Sequence, residues 1–298
     1  MSRLALEGVF TAIVTPFTAD GSAVDYEALD RLVTGQIEGG VAGIVPIGTT
    51  GESPTLTAEE KEKVIDFCVK KAAGKIKVIA GSGSNNTATS IEASLKAKAL
   101  GVDALLIVNP YYNKPSQEGM FRHVKAIADA VDIPIVLYNI PGRTGIMLTA
   151  PTVARMYNEI PQVCAIKEAT GSLDMSSEIA SLCDITILSG DDSLTLPLMS
   201  VGGKGVVSVL SNLAPEKVVG MVGSALKGDF AAATKEHLSL FPIFKAMFVE
   251  ANPVPCKYAM NKNGICTPAV RAPLCEMTEE SVEVLMSALR PSGILKNE

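Results

Sequence analysis

A short apolar run, a loop and an amphipathic stretch recur along this chain, and that alternation constrains the fold more than any other feature. The apolar runs fall at residues 9–14, 43–47, 76–80, 104–108, 135–139, 163–166, 185–189 and 205–209. Each has the length of a strand, and most are apolar throughout rather than alternating, as expected of strands buried on both faces. The stretches 25–38, 57–73, 87–100, 116–131, 151–158, 172–182 and 215–226 read as helices. In the first, Tyr26, Leu29, Leu32, Val33 and Ile37 share one face, and Gly39-Gly40 ends it. In the second, Thr57 and Glu60 have the spacing of a capping box. Strands alternating with helices predict an α/β fold with a parallel sheet. Eight strands, with a helix after each but the seventh, fit a closed (β/α)8 TIM barrel, with an open doubly wound sheet as the alternative. Beyond residue 228 the pattern changes: 230–248, 254–261 and 278–289 read as helices with no strand between them. The expected organisation is therefore a barrel over residues 1–228 and a C-terminal helical extension over 229–298, packed on the barrel.

Composition removes several function classes. A net charge of -6 argues against a nucleic-acid or anionic-membrane binder. No uncharged apolar run reaches the roughly 18 residues of a membrane span, and the first residues lack a secretory signal pattern. The six cysteines form no Cys-x-x-Cys pair, and His123 and His237 stand alone, so no metal site is expected. Scattered thiols of this kind predict reduced cysteines in a cytoplasmic protein. The glycine-rich runs at 81–86 and 202–205 lack the dinucleotide and phosphate-loop spacings.

In a barrel, reactive groups stand at the C-terminal ends of the strands and in the loops that follow. Here those ends carry Thr49-Thr50-Gly51-Glu52, Tyr111-Tyr112-Asn113, Tyr138 with Arg143, Lys167, and Gly190-Asp191-Asp192. Lys167 closes an apolar strand. A poorly solvated lysine tends towards the neutral amine, which can attack a ketone and form a Schiff base. Seen alone, it reads more readily as an inert lysine marking a strand end, since most lysines are solvated. The Gly48-Thr49-Thr50-Gly51 loop offers amides and hydroxyls to a carboxylate, or is an ordinary capped turn. Tyr138, one strand from Lys167, is placed to shuttle a proton, or merely satisfies a strand end. Arg143, in a glycine-flanked loop, can grip a carboxylate or lie solvated. Alternation along the strand points Glu168 away from Lys167, which makes it a poor candidate for the base.

Taken together, Gly48-Thr49-Thr50-Gly51-Glu52, Tyr138-Asn139-Ile140-Pro141-Gly142-Arg143-Thr144-Gly145 and Ile166-Lys167-Glu168-Ala169-Thr170-Gly171 resemble the pyruvate-dependent class I aldolases of the dihydrodipicolinate synthase and N-acetylneuraminate lyase superfamily. The segments 110–119, 189–192 and 252–255 extend the resemblance over nearly the whole chain. Within the superfamily the dihydrodipicolinate synthase branch is the nearer, on account of Arg143, Thr50 and Tyr112. The resemblance implies a lyase of lysine and diaminopimelate biosynthesis that joins pyruvate to L-aspartate 4-semialdehyde, with no cofactor beyond the lysine–pyruvate Schiff base. It makes Lys167 the Schiff-base lysine and Tyr138, Thr50 and Tyr112 a proton relay. It places the pyruvate carboxylate at Thr49 and Thr50 and the semialdehyde carboxylate on Arg143, with Gly190 and the Val207 carbonyl near the imine. Tyr112 would reach a neighbouring subunit's site, which implies a homodimer or homotetramer.

Two alternatives remain on the sequence: a lyase of a 2-keto-3-deoxy sugar acid or sialic acid, and a non-catalytic barrel that binds a ligand. One departure from the family pattern bears on regulation. Lysine-inhibited members carry histidines on the helix after the Gly-Thr-Thr-Gly-Glu loop and a glutamate early in the next helix. Here the corresponding positions of a possible effector site are Ala58, Lys61 and Thr89, although Ser53, Asn85 and Tyr111 are kept. Weak or absent inhibition by L-lysine is therefore expected.

Overall fold

The computed structural model describes residues 3–295. Eight parallel strands close into a barrel in sequence order, each pairing with the next and the last with the first. They are β1 (Gly8–Thr11), β2 (Gly43–Ile44), β3 (Lys77–Gly81), β4 (Ala104–Val108), β5 (Ile135–Asn139), β6 (Val163–Glu168), β7 (Thr186–Ser189) and β8 (Gly205–Ser208). The open-sheet alternative is thereby excluded. Helices fill the connections: α1 (Tyr26–Glu38), α2 (Ala58–Ala72), α3 (Thr87–Ala99), α4 (Gln117–Val131), α5 (Pro141–Thr144), α6 (Ala150–Glu159), α7 (Leu173–Leu182), α8 (Thr195–Ser200) and α9 (Pro215–Leu226). Then come α10 (Phe230–Ala246), α11 (Val254–Lys262) and α12 (Glu279–Leu289), with no strand between them. Among the described residues, no helix is long and apolar enough to cross a membrane.

The alternation of side chains along each strand divides the apolar residues into two layers. Phe10, Val45, Ile79, Leu106, Val136, Ala165, Leu188 and Val207 fill the barrel interior. Their neighbours Val9, Ile44, Val78, Leu105, Leu137, Ile166, Ile187 and Val206 face the helices. Helix starts carry the side-chain caps that the sequence leads one to expect. Asp25 and Ser116 accept from Ala28 and Gly119 amides, and Thr57 and Glu60 form a reciprocal capping box.

Strand β2 is shorter than the apolar run 43–47. The ladder stops early because Pro46 has no amide hydrogen and Ile47 takes a left-handed conformation, φ 60°. This bend brings the Ile47 carbonyl against Gly81, where a Cβ would lie 2.3 Å from the oxygen, so only glycine fits there. Periodicity also missed α5 and α8, each too short to show an amphipathic repeat.

The C-terminal helices are tied to the barrel by a buried ion pair. Lys257 on α11 donates to Glu52 Oε1 at 2.5 Å and to the Ala269 carbonyl at 2.9 Å. Both charged side chains are within 1% of complete burial. Glu52 Oε2 accepts the Arg271 amide at 3.0 Å, and the Lys257 ammonium lies 4.0 Å from the centre of the Phe17 ring. Burial pulls the lysine below its ordinary pKa, against the opposing effect of Glu52. Arg271 also grips Glu60 with two nitrogens, at 2.7 and 2.8 Å, and that contact helps hold the Glu60 carboxyl at about 2.

Breaking a buried pair strands a charge. Lys257→Met is expected to lower unfolding free energy by roughly 3–5 kcal/mol. The double change Lys257→Met with Glu52→Gln should recover a substantial part of that loss. Urea denaturation of the three proteins measures it, and additive losses would contradict the pairing.

Candidate active site

Strands β5 and β6 are neighbours in register, so Tyr138 and Lys167 stand side by side at the C-terminal end of the barrel. Lys167 is 7% exposed, and its Nζ lies 4.1 Å from the centre of the Tyr138 ring. Among the described residues no carboxylate pairs with it. In-register Ala165 faces the barrel interior, so Lys167, two residues on, faces inward as well. On β7, Gly190 follows directly after the strand. A Cβ there would lie 3.2 Å from Lys167 Cε and 2.6 Å from Ala169 Cβ. Glycine thus keeps the path of the lysine side chain clear. Val207 sits in the same interior cluster, on β8, and is 2% exposed.

The loop after β2 brings a second set of groups. Gly51, Glu52 and Ser53 amides bond back to the Thr49 and Gly48 carbonyls, at 3.1, 3.0 and 3.4 Å. This tight turn leaves the Thr49 and Thr50 amides without an acceptor among the described residues. Two such N–H groups at a loop that leads into a helix are suited to a carboxylate. Glu52 completes the turn in a left-handed conformation, φ 54°, held by its bonds to Lys257 and Arg271. Thr50 is 3% exposed and its Oγ1 accepts from Asn252 Nδ2 at 2.8 Å.

A cavity of about 320 Å³ opens here. Gly48, Thr49, Tyr138 and Arg143 line it, and Leu106, Val108 and Ile140 give it apolar walls. The Lys167 ammonium lies against the Tyr138 ring that forms one wall. Arg143 lies in the short helix α5 and stays solvent-exposed on the rim. The site therefore combines an amine, a phenol, two unengaged amides, a buried hydroxyl and a rim guanidinium. That set can bind a 2-keto acid by its carboxylate, form an imine, move protons, and receive a second anionic substrate.

Tyr112 is not part of this assembly. It is 89% exposed, in a left-handed conformation with φ 72°, and does not line the cavity. Apart from Asn85, the positions named for a possible effector site divide between two cavities. Ser53, Lys61 and Tyr111 line the first. Ala58, Lys61 and Thr89 line an adjoining one of about 250 Å³ together with Glu62, Glu92 and Lys96. Lys96 engages both glutamates, at 2.9 and 3.1 Å. Asn85 contributes its carbonyl to Asn113 Nδ2, at 2.8 Å.

Sequence reasoning missed Asn252, Lys257 and Arg271, which reach the site's loop from the far end of the chain. The resemblance covers 252–255 without giving Asn252 a role, and no local pattern marks Lys257 or Arg271, since the contacts span some 200 residues. Asp192, in the turn that follows β7, is an anchor rather than a substrate group. Its Oδ2 accepts the Val209 and Leu210 amides, at 2.9 and 3.0 Å, and burial raises its pKa.

Known proteins share this architecture. The sequence model of the dihydrodipicolinate synthetase family matches residues 5–291. The chain belongs to the dihydrodipicolinate synthetase family. The 4-hydroxy-tetrahydrodipicolinate synthase of Endomicrobium trichonymphae is 51% identical over 97% of this chain and 99% of its own. Crystal structures superpose throughout. Dihydrodipicolinate synthase from Aquifex aeolicus gives a TM-score of 0.95 at 45% identity, covering 98% of this chain and 100% of that one. The enzyme from Cyanidioschyzon merolae with lysine bound gives 0.94 at 42% identity, covering 97% and 99%.

Within this family member, Glu168 faces away from the amine, on the side of Ile166, as strand alternation predicts. Its Oε1 accepts the Thr170 amide at 2.5 Å, and burial raises its pKa. The folded protein thus holds this proton to higher pH than the unfolded chain. The contribution of Glu168 to stability is greatest below an ordinary carboxylate pKa of about 4.3 and declines as pH rises through the raised value. Glu168→Gln keeps the acceptor for Thr170. It is expected to leave kcat within about twofold, because general-base losses are on the order of a hundredfold or more. It should also flatten the decline of stability with rising pH, measured by urea denaturation across the pH range.

Proposed function

We propose that this protein condenses pyruvate, held as a Schiff base on Lys167, with L-aspartate 4-semialdehyde, as a 4-hydroxy-tetrahydrodipicolinate synthase. The observation that carries the reading is the Lys167 amine packed against Tyr138 in the barrel mouth. Unengaged Thr49 and Thr50 amides and Arg143 on the rim supply places for the two substrate carboxylates. The relatives named above, similar over their full lengths, carry the same activity in their names.

The chemistry follows from these groups. The pyruvate carboxylate takes the Thr49 and Thr50 amides. The Lys167 amine adds to the ketone, and the carbinolamine loses water to give a protonated imine. Loss of a methyl proton then gives an enamine, with the imine nitrogen accepting the electron pair. Tyr138 carries these protons, with Thr50 and Tyr112 as its partners. The enamine carbon attacks the semialdehyde, whose carboxylate lies on Arg143. Attack of the substrate's own amine on the former ketone carbon closes the ring and releases Lys167. Gly190 and the Val207 carbonyl border the imine. No dissociable cofactor enters this scheme. Arg143, rather than a set of hydroxyl partners, at the rim favours an anionic aldehyde over a sugar.

Tyr112 is exposed on its own subunit, and Tyr111 beside it is 41% exposed. This supports a homodimer or homotetramer in which Tyr112 completes the neighbour's relay. Six free thiols, four of them buried, support a reducing, cytoplasmic location.

Borohydride reduction in the presence of pyruvate should modify Lys167, read by mass spectrometry; an unmodified Lys167 contradicts the Schiff base. Arg143→Ala should weaken use of aspartate semialdehyde by on the order of a hundredfold, with little change in pyruvate trapping. L-lysine should inhibit weakly or not at all. Lys61 and the Lys96-engaged glutamates offer no free carboxylate to its ammonium, so half-maximal inhibition at sub-millimolar lysine would overturn that expectation.

A further inference from the structure

The C-terminal helices reach the loop after β2 at more than one point. Lys257 and Arg271 hold Glu52, as described, and Asn252 holds Thr50. Asn252 lies just ahead of α11 and is 6% exposed. Its Nδ2 donates to Thr50 Oγ1 at 2.8 Å. Thr50 Oγ1 donates to nothing among the described residues, so its one hydroxyl proton is uncommitted. A hydroxyl has a single donor, and its direction is set by what occupies the oxygen. With Asn252 donating from one side, the Thr50 proton is turned away from α11. In the opposite amide orientation Thr50 would donate to Oδ1, and the amide would bury two unpaired N–H groups. The observed orientation instead leaves Oδ1 as a buried acceptor without a partner. An unpaired acceptor is tolerated more often than an unpaired donor.

We infer that Asn252 is a positioning residue for the reaction: by donating to Thr50 Oγ1 it reserves the Thr50 hydroxyl proton for the relay with Tyr138. The inference rests on the proposed role of Thr50 as a relay partner. It assigns part of the active site to the C-terminal helical segment, through a residue that touches no substrate. The Lys257–Glu52 pair has a supporting part, because it fixes α11 against the loop and holds the Asn252–Thr50 distance.

Asn252→Asp tests this at constant volume, since a carboxylate can only accept and draws the Thr50 proton out of the relay. Near neutral pH its kcat should fall on the order of ten- to a hundredfold. KM for pyruvate should stay within about twofold, because the Thr49 and Thr50 amides are untouched. Borohydride trapping at Lys167 should persist. Activity should recover as pH falls and the introduced carboxyl gains a proton to donate. A folded Asn252→Asp protein with the kcat and pH profile of the unchanged protein overturns the inference. A second measurement does not depend on that variant: Asn252→Ala should lower kcat in the unchanged protein but not further in a Thr50→Val background. Equal losses in both backgrounds also overturn it. Failure of borohydride trapping in the unchanged protein would instead refute the Schiff-base reading itself.

Discussion

A closed ring of parallel strands has no free edge, and every second side chain on it must point inward. These conditions underlie most of what this molecule does. The interior is filled by Phe10, Val45, Ile79, Leu106, Val136, Ala165, Leu188 and Val207, so the barrel is a packed core and not a channel. Where each strand runs out, the next inward position is no longer covered by that packing. Lys167 occupies such a position on β6 and Tyr138 occupies the neighbouring one on β5. Their proximity follows from register, which the buried interior fixes: a slip by one residue would exchange Lys167 for Glu168 and reverse every side chain on the strand.

The barrel does not hold its own loops in place. The turn after β2 contains a left-handed Glu52, a conformation that costs free energy in a residue with a side chain. That residue is held by a lysine and a backbone amide from beyond residue 250. The C-terminal helices thus do more than cover a surface. They hold Glu52, which ends the turn that carries the Thr49 and Thr50 amides, and through Asn252 they contact the Thr50 hydroxyl directly. Burying the charges of Glu52 and Lys257 carries a desolvation cost, which their mutual contact and the Ala269 and Arg271 hydrogen bonds offset.

Much of the fold was legible because strand burial and helix amphipathicity are local properties. Strands β4 and β5 and helix α9 match the expected bounds residue for residue, and the capping box of α2 is present. The misreadings have local causes too. At β2 hydrophobicity continues through Val45 and Ile47, but Pro46 and the left-handed Ile47 end the hydrogen-bonded ladder. The site was legible where its residues sit at strand ends. It was not legible where a residue reaches it from across the chain. Asn252 falls in a segment that resembles the family and Lys257 reads as an ordinary helix-interior residue, but neither shows its link to the β2 loop until the fold sets them against it.

By itself the sequence determined the alternation of strands and helices, the number of strands, and which strand ends carry an amine, a phenol and a guanidinium. Those are matters of residue order and side-chain period, and they need no partner from elsewhere in the chain. Closure of the barrel, the 4.1 Å approach of Lys167 to the Tyr138 ring, and the lack of acceptors for the Thr49 and Thr50 amides among the described residues were decided only by the tertiary structure. So was the conversion of Asp192 from an apparent site residue into an anchor for the β8 loop. The physical reason is that hydrogen bonding and burial depend on which distant groups arrive beside a residue. That depends on how the whole ring closes.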